Sequence, residues 1–476
     1  MDFKKELSLF DLTNIVVGSV VGADIYIASA ITAGMVGPFS LVLWVIAGVF
    51  ATIIALVFAY CSYYVPKVGG PFAFVSEAFD DFYGFLTGWS MWIAELISLP
   101  VFAIAFVKYL EYLVPLDPYL EIAVKGMFLF TLTLVNIIGV KFAGKVNDVL
   151  TLVKIVPLLL LVGAGTAFLV SGPAVFSQNY QPFIPLGLSA TGTALVLIFW
   201  AYAGFELGTL PAGEVENPRT TIPKAIISGM AIVAVFYLAT NFIVYGSVNW
   251  TVLAASSTPL ILVGGILLGG VGALIMTVGA LFSVSGSDES GMLGTGRLSY
   301  AMSIDGLFPQ VFSRIHPRYG TPYVGLALQG LIAFVLSVYS PITGLISFAV
   351  FNLAFAFLLT CFALMVLARD SETQLIGQNI LPWLGVVICL YLLYSTSFFD
   401  KIIGTCIIVA GIFIYIFFSP KQDIHHLKAM FLSEEAIFFR NMARRERYLG
   451  NFILLLYRGY QYVRKRFVQA RSGAVR

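Results

Sequence analysis

The sequence predicts an all-α polytopic membrane protein with twelve transmembrane helices, built as two inverted five-helix repeats with broken first and sixth helices plus two extra helices. Three observations lead there. Of the 476 residues, 59% are hydrophobic and only 11% are charged, against roughly 25% charged in a typical soluble domain. Apolar runs of about 20 residues, the length that crosses a bilayer, recur along the chain. Glycines followed by an acid interrupt the first and the sixth of these runs.

Residues 1–9 hold Lys4, Lys5 and Glu6 but no signal-type apolar core with a small-residue cleavage site, so the first span is expected to be retained. Spans near 10–32, 38–64, 84–113, 122–140 and 149–171 make a first repeat over 10–171. A second repeat over 191–368 follows, with spans near 191–212, 224–246, 262–300, 322–339 and 342–368. Two further spans, near 376–397 and 402–418, fill 376–418. The eighth span is too long for one simple crossing, and its C-terminal part is expected to project into water.

Positive charge sets the orientation. With the N-terminus in the cytoplasm, the inner connections hold Lys4, Lys5, Lys67, Lys141, Lys145, Arg219, Lys224, Arg297, Arg314, Arg318 and Arg369. The outer ones hold Lys108, Lys125 and Lys401. This asymmetry satisfies the positive-inside rule and places both termini of a multi-pass cell-membrane protein in the cytoplasm. Beyond Pro420, His425, His426, Arg440, Arg444, Arg445, Arg447, Arg458, Arg464, Lys465 and Arg466 interleave with Phe, Leu and Tyr. Residues 419–476 read as a basic amphipathic tail on the anionic inner leaflet, or as a solvated extension.

Several functions fall away on composition. A net charge of +2 carries no nucleic-acid signal. Cys61, Cys361, Cys389 and Cys406 are far apart in sequence and read as core fillers rather than a disulfide or metal framework. The three histidines, His316, His425 and His426, form no zinc-hydrolase motif, and no Walker-type phosphate loop occurs. Nothing gathers a nucleophile, a base and an orienting group, so an enzyme is not expected, nor is a cofactor.

The first span contains Gly18-Ser-Val-Val-Gly22-Ala23-Asp24-Ile25-Tyr26. Two glycines four apart weaken the helix, and backbone freed at membrane depth survives only against protein or a wet cavity. Glycines alone fit a packing face equally well; Asp24, an ionisable group inside a span, favours a binding site. The sixth span reads Phe199-Trp200-Ala-Tyr202-Ala203-Gly204-Phe-Glu206, again with an acid two residues after a glycine. Broken helices at matching places in two five-span halves point to an inverted-repeat transporter with its site near the bilayer midplane. Half-helix ends offer amide groups to an anion and carbonyl groups to a cation, poles that suit a zwitterionic amino acid. Trp200 and Tyr202 flank the second break, Trp200 placed to close over an aliphatic or cationic tail and Tyr202 reading better as packing.

These residues resemble a known family. Gly22-Ala-Asp-Ile-Tyr26 is similar to the first-span element of the amino acid/polyamine/organocation transporter superfamily. Gly204-Phe-Glu206, with Glu214-Val-Glu-Asn-Pro218 and Ile222-Pro-Lys-Ala-Ile226, resembles its sixth-span signature and the loop after it. Lys67-Val-Gly-Gly70 to Gly88-Trp89, Arg297-Leu-Ser-Tyr-Ala-Met302, Asp305-Gly-Leu-Phe-Pro309 and His316-Pro317 to Gly320-Thr-Pro322 follow in family order. The resemblance covers about residues 8–420 and leaves out the tail. It implies the fold of two inverted five-helix repeats plus two helices, and a gate at Trp200. Trp200 through Glu206 is most similar to the branch exchanging basic amino acids and polyamines.

Two departures from the family stand out. Asp24 occupies the place of a glycine where family members hold the substrate carboxylate on backbone amides. Either Asp24 carries a proton at this depth, or it pairs with a cation, or the substrate is an amine without a carboxylate. The second departure is Ser283-Val-Ser-Gly-Ser287-Asp288-Glu289-Ser290, two acids in an apolar helix of which at most one is expected to reach the cavity. Glu95 adds a buried acid in the third span. Against them stands Lys154, which resembles the lysine that many members place where sodium-dependent relatives bind sodium; otherwise it snorkels to the interface. The binding residues expected are therefore Gly22, Ala23, Asp24, Ile25, Trp200, Tyr202, Ala203, Gly204 and Glu206, with Lys154, Asp24, Glu206 and Glu289 in coupling. The expected activity is sodium-independent secondary transport of an amino acid, proton-coupled or by exchange. A polyamine or cationic amino acid antiporter, and a nutrient sensor or partner-dependent subunit, are the alternatives.

Overall fold

The computed structural model describes residues 7–418 apart from 139, 370, 372 and 374. The N-terminal segment with Lys4, Lys5 and Glu6 and the basic tail over 419–476 lie outside the described residues. Residues up to Tyr415 form one compact unit; of the second, Ile416–Arg476, only the end of the last helix is described.

In chain order the α-helices are α1 (Leu9–Val20), α2 (Ala23–Val36), α3 (Ser40–Tyr64), α4 (Pro71–Ala78), α5 (Asp81–Leu110), α6 (Pro118–Ile138), α7 (Val140–Ser171) and α8 (Pro173–Gln178). Then come α9 (Thr191–Tyr202), α10 (Pro218–Ser247), α11 (Trp250–Ala254), α12 (Pro259–Ile304), α13 (Tyr323–Tyr339), α14 (Ile342–Arg369), α15 (Leu381–Ser395) and α16 (Phe398–Phe418). Among the described residues no strand forms; a single isolated bridge joins Leu7 to Val215. Among the described residues nine stretches are long and apolar enough to cross a membrane, and α13 and α15 are shorter apolar helices. The protein is thus all-helical and polytopic.

Local chemistry sets the helix starts. Ser8 and Asp11 cap α1 reciprocally, Asp11 Oδ2 accepting the Ser8 amide at 2.9 Å while Ser8 Oγ accepts the Asp11 amide at 3.4 Å. Asp80 caps α5 by accepting the Tyr83 amide at 3.0 Å. α5 is the central post, buried along most of its length and packed on α12 and α14, while α10 packs on α3 and α1 and α7 packs on α12.

Two elements differ from the sequence reading. At 1.5 Å per residue a straight α12 would measure roughly 69 Å; instead its backbone folds at Gly269, whose φ of 65° and ψ of −157° are not helical. Gly264 and Gly272 then meet so closely that a methyl group on either would strike the other's carbonyl. The surplus length therefore lies before Gly269, and residues 286–303, expected to project into water, are largely buried. The sixth span also fails to resume as an α-helix. After its break comes a 3₁₀ turn over Phe205–Thr209 and another over Ala212–Glu214.

Candidate functional site

The first break lies between α1 and α2. Val21 leaves the helix (φ −77°, ψ 94°), and the Gly22 amide, left without a helical acceptor, donates to Asp24 Oδ1 at 2.8 Å. Asp24 thus turns back on the glycine two residues before it. Its other oxygen, Oδ2, lies 2.5 Å from the Tyr237 hydroxyl, which also lies 2.8 Å from the Val20 carbonyl. A β-carbon on Gly22 would sit 2.9 Å from Asp24 Oδ1 and 2.8 Å from Ser287 Oγ, so the position excludes a side chain.

The second break has the same local design. Ala203 is extended (φ −70°, ψ 159°), Gly204 has φ 115°, and the Gly204 amide donates to Glu206 Oε2 at 3.0 Å. The positive φ calls for glycine. So does packing, because a β-carbon would stand 3.0 Å from the Ser19 carbonyl carbon of the first break. The two interruptions therefore touch, backbone to backbone, in the middle of the fold.

Beside that contact lies a cavity. Its lining includes Ser19, Val20 and Asp24 from the first break; Trp200, Ala203, Gly204 and Leu207 from the second; Glu95, Ser98 and Phe102 from α5; Ser287 and Gly291 from α12; and Leu353 from α14. Trp200 donates Nε1–H to Ser98 Oγ at 3.1 Å, and its ring centroid lies 5.8 Å from that of Phe102. The Glu95 carboxyl lies beside that of Glu206, whose Oε1 is buried without a hydrogen-bond partner among the described residues.

Lys154 is fully buried at the C-terminal end of α1. Its ammonium donates to the Gly18 carbonyl and to Ser287 Oγ, the latter at 3.3 Å. Ser287 Oγ in turn lies 2.9 Å from the Val21 carbonyl, to which Ser283 Oγ donates at 3.2 Å. A carbonyl from the negative end of α1 and the Ser287 hydroxyl thus hold the chain's own cationic side chain.

Of the residues expected from sequence, Asp24, Trp200, Ala203 and Gly204 line the cavity. Glu206 reaches it through Glu95, and Gly22 through its bond to Asp24. Ala23 and Ile25 are fully buried and are not among the lining residues. Tyr202 points elsewhere: its hydroxyl donates to the Trp44 carbonyl at 3.1 Å, and its ring packs with Trp44 and Tyr237. Neither Asp288 nor Glu289, of which at most one was expected to reach the cavity, is among its lining residues; both are buried, and no carboxyl oxygen of either has a hydrogen-bond partner among the described residues. The cysteines, far apart in sequence, are not far apart in space. Cys361 and Cys389 lie within hydrogen-bonding reach on α14 and α15, Cys61 is buried near Cys361, and Cys406 is exposed. Sequence reasoning left out Ser98 and Phe102, which with Glu95 recur at the three-and-four spacing of one helix face, and Tyr237, which sequence spacing does not reveal.

The family model described as Amino acid permease matches residues 7–432. The chain is 26% identical over 447 residues to the branched-chain amino acid permease BcaP of Bacillus subtilis, covering 88% of this chain and 94% of that protein. It is 26% identical over 446 residues to the methylthioribose transporter of the same organism, with 88% and 94% covered. It is also 26% identical over 382 residues to cationic amino acid transporter 4 of Mus musculus, covering 76% of this chain and 59% of that one. These relatives are permeases and transporters, not enzymes. With a matched region that takes in both breaks, the cavity and the helices around them, the chain belongs to the amino acid permease family of the amino acid/polyamine/organocation superfamily.

Proposed function

We propose that this permease is a secondary transporter of amino acids or related amines, working by alternating access around the cavity at the two breaks, sodium-independent and either proton-coupled or exchanging. The observation that carries the reading is the pair of breaks. Two interrupted helices with the same glycine-to-acid bond meet backbone to backbone beside a cavity, the arrangement that lets one half of an inverted-repeat transporter rock against the other around a fixed site. The nine long apolar stretches, with α1–α2 and α3 taken as separate crossings and α13 and α15 added, support twelve spans with both termini cytoplasmic. Residues 10–171 and 191–368 are the two inverted repeats.

Sodium independence rests on Lys154. A carbonyl and hydroxyl cluster that already holds an ammonium has no vacancy for a metal cation of the same charge. Protons are the partner supported by the acids: the Glu95 and Glu206 carboxyls lie side by side, and Asp24 sits beside a tyrosine hydroxyl with one hydrogen and two acceptors. Relatives named for branched-chain amino acids, cationic amino acids and methylthioribose support a small-molecule substrate. Neutral or cationic substrates are favoured over acidic ones by Asp24 and Glu95 in the lining. The test is uptake into proteoliposomes of the purified chain with sodium replaced by choline at constant pH. Unchanged uptake is expected; abolished uptake refutes sodium independence, and absence of uptake by the single chain with any amino acid or amine favours a sensor or a partner-dependent subunit.

A further inference from the structure

The cavity's hydrogen-bond inventory points to the substrate's chemistry, an inference that rests on the cavity being the transport site. A free amino acid brings a carboxylate, and a buried carboxylate needs donors. The lining offers few. Ser19 Oγ donates to the Ile15 carbonyl at 2.8 Å, Ser98 Oγ to the Ala94 carbonyl at 3.0 Å, and Ser287 Oγ to carbonyls of the first break at 2.9 and 3.1 Å. Trp200 Nε1–H is engaged by Ser98. The amides of Gly22 and Gly204, one at each break, end on the chain's own acids. Ala203 donates its amide to the Trp200 carbonyl at 3.0 Å. None of the described lining residues is Lys, Arg or His, and the Lys154 ammonium faces Gly18 and Ser287.

The acceptors are plentiful by contrast. Asp24 and Glu95 present carboxyl groups, and Trp200 and Phe102 present aromatic surface that attracts an organic cation. We infer that Asp24 is a built-in occupant of the amide cradle at the first break, standing where a substrate carboxylate would dock, so that the cavity takes an organic amine without a carboxylate. The substrate's ammonium lies between Asp24 and Glu95, and its apolar body lies against Trp200 and Phe102. An amino acid offers the same ammonium, but its carboxylate meets the Asp24 carboxyl, with the Gly22 and Gly204 amides already engaged.

Matched pairs differing only in the carboxylate test this: arginine against agmatine, lysine against cadaverine, leucine against 3-methylbutylamine. Binding is read as the rise in melting temperature of the purified full-length chain with ligand concentration, and checked by competition in proteoliposome uptake. At least one amine is expected to bind about tenfold or more tightly than its parent amino acid, a difference of about 1.4 kcal/mol. Asp24→Ala empties the cradle and should narrow or reverse that ratio by admitting the amino acid. Asp24→Asn keeps an oxygen on the Gly22 amide without the charge; it should weaken the amine and still exclude the amino acid, and it serves if the alanine variant does not fold. An amino acid that binds wild type as tightly as its amine, with both weakened by Glu95→Gln, overturns the inference and leaves the transport site standing. Ligand binding indifferent to Asp24→Ala, Asp24→Asn and Glu95→Gln alike overturns the assignment of the cavity as the site.

Discussion

Replacing Lys154 by methionine removes an ammonium and keeps most of the stem's volume, so it isolates the charge. The side chain is fully buried, and its charge is held by the Gly18 carbonyl and Ser287 Oγ. Hydrogen bonds of a charged donor contribute about 1.5–3 kcal/mol each. Part of that is offset because the ammonium no longer has to be desolvated, and a neutral acceptor left unpaired in its place costs about 1–3 kcal/mol. Against a total stability on the order of 5–15 kcal/mol, this is a large fraction. Lys154→Met is therefore expected to melt well below wild type in detergent and to lose most uptake. Arginine should not restore either, because its planar fork does not fit a site built for a compact cation. The assay is intrinsic tryptophan fluorescence during heating, paired with proteoliposome uptake in sodium and in choline. A Lys154→Met protein with wild-type melting and wild-type uptake would refute the reasoning, since the ammonium would then be neither a tie between α1, α7 and α12 nor part of coupling.

Other substitutions probe the rest of the site. Trp200→Ala should damage transport far more than melting, and Trp200→Phe should retain part of the uptake; wild-type transport by Trp200→Ala would reduce Trp200 to packing. Gly204→Ala places a side chain at φ 115° and 3.0 Å from the Ser19 backbone, a strain of about 1–3 kcal/mol, and should lower both the melting temperature and the uptake rate. Glu95→Gln sets a permanent donor beside Glu206, so the fold should survive while uptake loses its pH dependence; an unchanged pH profile removes the pair from coupling. In Asp24→Asn and Glu206→Gln, a coupling acid should lose pH dependence yet keep exchange, whereas a substrate-pairing acid should lose affinity for cations while uncharged substrates survive.

The breaks were legible because their signal is local. A glycine that ends a helix frees its own amide, and an acid two residues later can reach that amide, so Gly22–Asp24 and Gly204–Glu206 announce themselves in the sequence. What closes the cavity was not local. Tyr237 reaches Asp24 across more than two hundred residues, and Ser98 meets Trp200 across about half that distance; no sequence period encodes either pairing. Glu95, Ser98 and Phe102 were readable in principle, since they share one face of α5, but that face is apolar enough to pass for core. The course of α12 was misjudged because length alone was weighed: Gly269–Gly270 had as much claim to a fold-back as the glycines of the first span. Cys61, Cys361 and Cys389 are buried and free as core fillers should be, though their nearness was not legible, for separation along the chain says nothing of separation in a bundle where α3, α14 and α15 pack together.

The shared design of the two breaks also limits what either can bind. An interrupted helix must satisfy the amides it exposes, and at membrane depth water is not at hand to do so. A chain can leave them to a ligand, and then the empty site is unstable, or it can cap them itself, and then the empty site is stable but the anion-binding pole is gone. Asp24 and Glu206 take the second course on both sides of the same cavity. Their remaining oxygens differ, and that difference separates the two acids. Asp24 Oδ2 meets a hydroxyl that can donate to it while remaining fixed on α10, whereas Glu206 Oε1 has no hydrogen-bond partner among the described residues, and Glu206 lies beside Glu95. Under the proposed function, the first arrangement keeps a carboxyl in place for a substrate and the second is the candidate for proton exchange. Glu95→Gln should then weaken the amine, whose ammonium it faces, and flatten the pH dependence of uptake.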